Sequence, residues 1–86
     1  MWAVKFTDEA GRKFKKLDKA LQRRIQAALA DLATRQDPAG RGKPLQYDQK
    51  GHWRLRVGSY RVIYRIDKTS VIVVVVDIGP RDSVYD

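Results

Sequence analysis

Residues 52–65, HWRLRVGSYRVIYR, place Arg54, Arg56, Arg61 and Arg65 beside His52, the chain's one histidine, with no acidic residue among them. A guanidinium stays charged at any physiological pH, and its N–H groups form a planar fork that fits phosphate or carboxylate oxygens. Arginines at this density can clamp an oxyanion but make poor general bases. Imidazole is a side chain suited to proton transfer, yet a lone histidine at a strand end, as His52 is, is ordinarily a solvated bystander. The tail DIGPRDSVYD, residues 77–86, adds Arg81 and Tyr85. A phenol beside several guanidinium groups has its ionised form favoured, and its ring can stack on a base.

The elements that must position these groups are legible from hydrophobic period. Trp2, Val4 and Phe6 alternate with Ala3 and Lys5, a short strand signal. Ala10, Phe14, Leu17, Leu21, Ile25, Ala28, Leu29 and Leu32 then form the apolar stripe of an amphipathic helix. Thr7 or Asp8 can cap its start; spacing alone permits one long helix over about residues 8–34, but Asp18 after Leu17 can cap a second, and two helices are the reading taken. DPAGRGKP, residues 37–44, has two prolines and two glycines and reads as a loop.

Beyond the loop the period falls to two. Gly58 and Ser59 separate two strands as a hairpin, glycine at the first turn position suiting a type II′ turn. The resulting register sets Val57 opposite Tyr60, Arg56 opposite Arg61, Leu55 opposite Val62, Arg54 opposite Ile63 and Trp53 opposite Tyr64. A turn over residues 67–70 would pair Ile66 with Val71, Tyr64 with Val73, Val62 with Val75 and Arg61 with Val76. Trp53, Leu55, Val57, Tyr60, Val62, Tyr64, Ile66, Val71, Val73 and Val75 then share the core face, and a helix layer on one face of an antiparallel sheet is the simplest result. Gly79 and Pro80 are expected to break the third strand, leaving Arg81 about one tight turn from the basic face.

The second face carries His52, Arg54, Arg56, Arg61 and Arg65, with Ile63, Ile72, Val74 and Val76 as an apolar stripe that nothing else in the chain covers. Charged residues alternating on a strand are ordinarily a solvated face. Arg56 against Arg61 is different, because like charges directly opposite destabilise a strand pair, and a bound anion would remove the penalty. An exposed apolar stripe of this kind marks an interaction surface. The helical run GRKFKKLDKALQRR has seven Lys and Arg against one Asp; a solvated helix face is the plain reading, and a phosphate-rich surface suits it better. Arg12, Lys13, Lys16 and Lys19 from this run, with Lys43 and Arg65, are the candidate residues for binding such a surface.

With 86 residues the chain is read as one domain, 1–86, near the size at which a core becomes marginal. Its net charge of +8 points to a polyanionic partner. The absence of cysteine excludes disulfides and thiolate metal sites and suits the reducing cytosol, and a single histidine argues against a histidine zinc site. MWAVKFTDEA lacks a signal-peptide layout, and the apolar run 71–76 is too short to span a bilayer, so a soluble cytoplasmic protein is expected.

WRLRVGSYRVIYRI, the valine-rich strand after it and DIGPRDSVY resemble the RelE side of the RelE/ParE toxin superfamily, the toxin halves of toxin–antitoxin pairs. FTDEAGRKFKKLDKALQRRIQAALADL and the short GKPL element fit the same plan, so the resemblance covers essentially the whole chain. It implies an α+β, RelE-like fold: an N-terminal strand and two helices packed on one face of a small, mainly antiparallel four-stranded sheet. It also implies an endoribonuclease, an mRNA interferase that cleaves messenger RNA in the ribosomal A site and is silenced by a cognate antitoxin, a small acidic protein. The 2′-hydroxyl attacks the adjacent phosphate without metal or cofactor, leaving a cyclic phosphate and a free 5′-hydroxyl. Carried over by position, Arg61 and Arg81 match the family's phosphate-binding and acid-side arginines, and Tyr85 its terminal catalytic tyrosine. Arg54 and Arg56 fall where the best-known members carry lysines, which leaves the base role to Tyr85, His52 or water.

Two other readings compete. The ParE side of the superfamily has the same fold, poisons DNA gyrase and cuts no RNA; a gyrase poison has no need of arginines converging with a terminal tyrosine. A non-catalytic RNA- or antitoxin-binding module would use the basic face for docking alone. In each case Ile63, Ile72, Val74 and Val76 are the candidate antitoxin-binding residues, receiving a segment with apolar anchors and acidic flanks.

Overall fold

The computed structural model describes residues 1–35, 43–44 and 51–80. The first strand, β1 (Ala3–Phe6), leads into α1 (Asp8–Lys15) and α2 (Lys19–Ala33). A two-residue strand, β2 (Lys43–Pro44), then precedes β3 (His52–Val57), β4 (Tyr60–Asp67) and β5 (Ile72–Pro80). The four longer strands form a sheet in the order β1, β5, β4, β3, and β2 extends it along the free side of β3. The β3–β4 and β4–β5 pairs are antiparallel, whereas β1 runs parallel to β5, with Val4 beside Val73 and Phe6 beside Val75.

Local signals account for the helices. Thr7 Oγ1 accepts from the Ala10 N–H at 3.2 Å, and Asp18 Oδ1 accepts from the Leu21 N–H at 2.8 Å, so each helix begins at a side-chain cap. Gln22 closes the gap between them by donating from Nε2 to the carbonyls of Phe14 (2.9 Å), Lys15 (3.4 Å) and Leu17 (3.1 Å). These carbonyls, at and just beyond the end of α1, include ones that lose their partners where a helix stops. The Phe6 and Phe14 rings, with centroids 5.2 Å apart and planes inclined by 58°, join β1 to α1.

Both helices lie on one face of the sheet. Ala10, Ile25, Leu29 and Leu32 meet Leu55, Val57, Val62, Tyr64, Val73, Val75 and Ile78 in a single core. Every residue assigned to the core face by alternation is in that core or packed against it, except Val71, which is 44% exposed.

The β4–β5 pairing corrects the expected register. Asp67 pairs with Ile72, Ile66 with Val73, Arg65 with Val74 and Tyr64 with Val75. The turn is therefore residues 68–71, with Asp67 Oδ1 accepting from the Ser70 N–H at 3.1 Å and Val71 at φ 58°. A β-branched residue in the left-handed region is strained, and no sequence rule for turns would place valine there. Between Ile63 and Tyr64 the register shifts, so that Ile63 faces Asp77, Val62 faces Ile78 and Arg61 faces Gly79. Val76 is the extra residue of this bulge. Arg61 thus pairs with Gly79 instead of Val76, and β5 continues through Gly79 and Pro80 instead of breaking there.

Candidate functional site

Alternation along β3 and β4 delivers the expected two-faced hairpin. All five pairs expected between these strands are present, Arg56 opposite Arg61 among them, and His52 pairs with Arg65 as a sixth. Gly58 has φ 60° and Ser59 keeps a negative φ, which fits the type II′ turn. Arg56, Gly58, Ser59, Tyr60 and Arg61 line a cleft of about 140 Å³ at this end of the hairpin. Arg56 is exposed, whereas Arg61 is only 4% exposed, a cation held in place within the sheet. One exposed and one buried guanidinium on adjacent strands make a suitable pair of arms for a tetrahedral oxyanion.

Arg54, half-buried, is two residues from Arg56 on the same strand and pairs across to Ile63. Arg65 is exposed and lies at the other end of the hairpin, four residues along β4 from Arg61. Lys43 takes its register position in β2 opposite Arg54. Arg81 and Tyr85 lie outside the described residues; the described chain ends at Pro80, opposite Tyr60, with Gly79 opposite Arg61 just before it.

The helix cations are placed differently. Arg12, Lys16 and Lys19 are exposed in or beside the helix layer, across the sheet from the arginine face. Lys13 is committed elsewhere: its ammonium is 2.6 Å from Asp77 Oδ1 and 3.9 Å from Glu9. The hydrogen bond to Asp77 raises the Lys13 pKa above its ordinary value, with the nearby carboxylate charges adding to the effect and partial burial opposing it. Lys13 therefore ties α1 to β5 next to the bulge. At the far turn, the Asp67 carboxyl is held below its usual pKa chiefly by the Ser70 N–H.

The apolar stripe also divides. Ile72, Val74 and Val76 are half-buried on the second face, but Ile63, expected to be exposed with them, is fully buried with Val76 packed on it. The bulge accounts for this by placing Val76 next to Ile63. Two residues of the site region gave no sequence signal as such. Asp77 read as part of the tail, and Arg24 read as one more charge on α2. The guanidinium of Arg24 in fact lies against Gly58, its two Nη atoms 3.2 Å from where a Cβ on that glycine would sit.

This fold and this arginine face can be set beside known proteins. A family model described as the ParE toxin of type II toxin–antitoxin systems, parDE, matches residues 4–85. The chain belongs to this family. Toxin RelG of Mycobacterium tuberculosis (strain ATCC 25618 / H37Rv) is 34% identical over 85 residues, covering 98% of this chain and 95% of that protein. The toxin–antitoxin complex RelBE2 of M. tuberculosis contains a chain 35% identical to this one, with a TM-score of 0.68 and coverage of 93% and 91%. The intact RelBE toxin–antitoxin complex of E. coli gives a TM-score of 0.79 at 17% identity, covering 93% and 96% of the two chains, a likeness of fold. This toxin is therefore a RelE/ParE superfamily member with the RelE-like fold, and no described helix is long and apolar enough to cross a membrane.

Proposed function

We propose that this toxin is an endoribonuclease that cleaves mRNA, in the ribosomal A site, by attack of a 2′-hydroxyl on the adjacent phosphate. The observation that carries the reading is Arg56 set directly opposite Arg61 at a cleft, a like-charge pair that a phosphate would stabilise. The P–O2′ bond forms as the P–O5′ bond breaks, giving a cyclic phosphate and a 5′-hydroxyl. Arg61 and Arg56 hold the non-bridging oxygens where negative charge accumulates. Arg54 adds charge beside them, and Arg81 serves the side of the leaving oxygen. Because arginine gives up no proton in this pH range, the proton of the 2′-hydroxyl goes to Tyr85 or to water, His52 standing at the other end of the hairpin opposite Arg65, and a proton returns to O5′. Arg12, Lys16, Lys19, Lys43 and Arg65 contribute non-specific attraction to ribosomal and messenger phosphates.

Poisoning of DNA gyrase is the second reading, favoured by the ParE description of the matching family. Mapping mRNA 5′ ends after induction, beside a DNA-damage reporter in the same cells, separates the two. New 5′-hydroxyl ends at defined codon positions with a silent reporter are expected; an induced reporter without new ends overturns the ribonuclease.

The same face is proposed to bind the cognate antitoxin. Half-buried Val74 lies between exposed Lys5 on β1 and exposed Arg65 on β4, so an apolar row is flanked by cations. A segment with apolar anchors and carboxylates beside them would cover both. Val74→Asp should weaken antitoxin binding at least tenfold, by calorimetry or by loss of rescue on co-expression, while toxicity persists. Unchanged affinity in that variant would remove this face from the antitoxin interface.

A further inference from the structure

We infer that Arg24 is an additional phosphate-contacting residue, holding the RNA phosphate next to the one clamped by Arg56 and Arg61; this rests on the ribonuclease reading. Arg24 is exposed on α2, one residue ahead of the fully buried Ile25, so its backbone is fixed by the core while its side chain is free to extend. Both Nη atoms lie 3.2 Å, and Cζ 3.4 Å, from the place a Gly58 Cβ would take. Glycine at this position therefore does more than supply the positive φ of the turn. It lets a guanidinium from the helix layer rest on the hairpin end at a distance that a Cβ would make tight.

Gly58 also lines the cleft with Arg56 and Arg61. Three elements, α2, β3 and β4, thus bring guanidinium groups to one turn. Ion pairs among the described residues join Lys13 to Glu9 and Asp77, and Arg35 to Asp31; Arg24 and Arg56 are in none of them. A single phosphate held by Arg56 and Arg61 on the sheet makes no use of a cation reaching over from the helix side of the turn. A polynucleotide does, because it carries a second phosphate one nucleotide along and can bend around the hairpin end. Arg24 would act on binding, ahead of the chemical step, with no part in proton transfer.

The test uses a single-stranded RNA made uncleavable by a 2′-deoxy substitution at the cut position, with binding measured across a salt series. Arg24→Ala should bind several-fold more weakly, and its slope of log affinity against log salt should shrink by about 0.7, the loss of one phosphate contact on a single strand. On cleavable, ribosome-bound mRNA, KM should rise with kcat nearly unchanged, and Arg24→Lys should restore the slope. A wild-type slope and KM in Arg24→Ala, with the wild-type toxin cutting RNA, would overturn the role of Arg24 alone. Neither binding nor cleavage of RNA by the wild-type toxin would overturn the ribonuclease reading and this contact together.

Discussion

Arg61→Ala is expected to abolish growth inhibition on induction and to lower the rate of mRNA cleavage by at least about 100-fold, the scale set by removing one preorganised donor from a developing oxyanion. The size of the effect follows from the placement of the residue. Arg61 is 4% exposed in a central strand, opposite Arg56 on one side and Gly79 on the other. A cation already held there needs no reordering when substrate arrives. Arg61→Lys should recover only part of the activity, since an ammonium keeps the charge but lacks the two-pronged fork. Co-purification of each variant with antitoxin checks that it folds. An Arg61→Ala toxin that folds and still cuts mRNA at the wild-type positions would remove Arg61 from the site.

Ile25→Ala should have the largest effect on stability. Ile25 is fully buried where α2 meets the sheet, in the same core as Leu55, Val62 and Tyr64. Truncating such a side chain costs about 2–5 kcal/mol through lost burial and the cavity left behind. In a domain of this size that is a large part of the ~5–15 kcal/mol total, and the melting temperature should fall on the order of 15 °C. Thermal unfolding followed by circular dichroism, in an Arg61→Ala background that permits production without antitoxin, measures it. A loss below about 1 kcal/mol would mean that the α2 contact relaxes around the gap, contrary to close packing.

Local rules made the hairpin of β3 and β4 readable, because a two-residue turn containing glycine leaves one register open and alternation then assigns each face. Helix caps at Thr7 and Asp18 were readable for the same reason: the oxygen that accepts the N–H sits three residues before it in the chain. What stayed hidden depended on residues far apart in sequence. Val71 takes a strained turn position that its side chain argues against, which moved Ile72 into pairing with Asp67. The bulge brought Val76 onto Ile63, removing from the surface a residue that alternation alone had exposed. Lys13 resembled its basic neighbours until Asp77, 64 residues away, met it. Within the site, Arg56 and Arg61 were visible as an opposed pair, whereas the approach of Arg24 to Gly58 depends on how α2 lies over the sheet.

The extra residue in β5 also separates two alignments that would otherwise be rigidly linked. At one end, Ile72 is fixed by Asp67 and by β1; at the other, Ile78 is fixed by burial against Val62, and Gly79 by its place beside Arg61. The two ends are one residue out of step, and the mismatch falls within residues 73–76, four identical valines. The run works as a step between two registers. Because its four side chains are identical, the extra residue is taken up among them with no change of side-chain chemistry, and the alignment of β5 with β1 is set apart from the alignment that puts Gly79 beside Arg61.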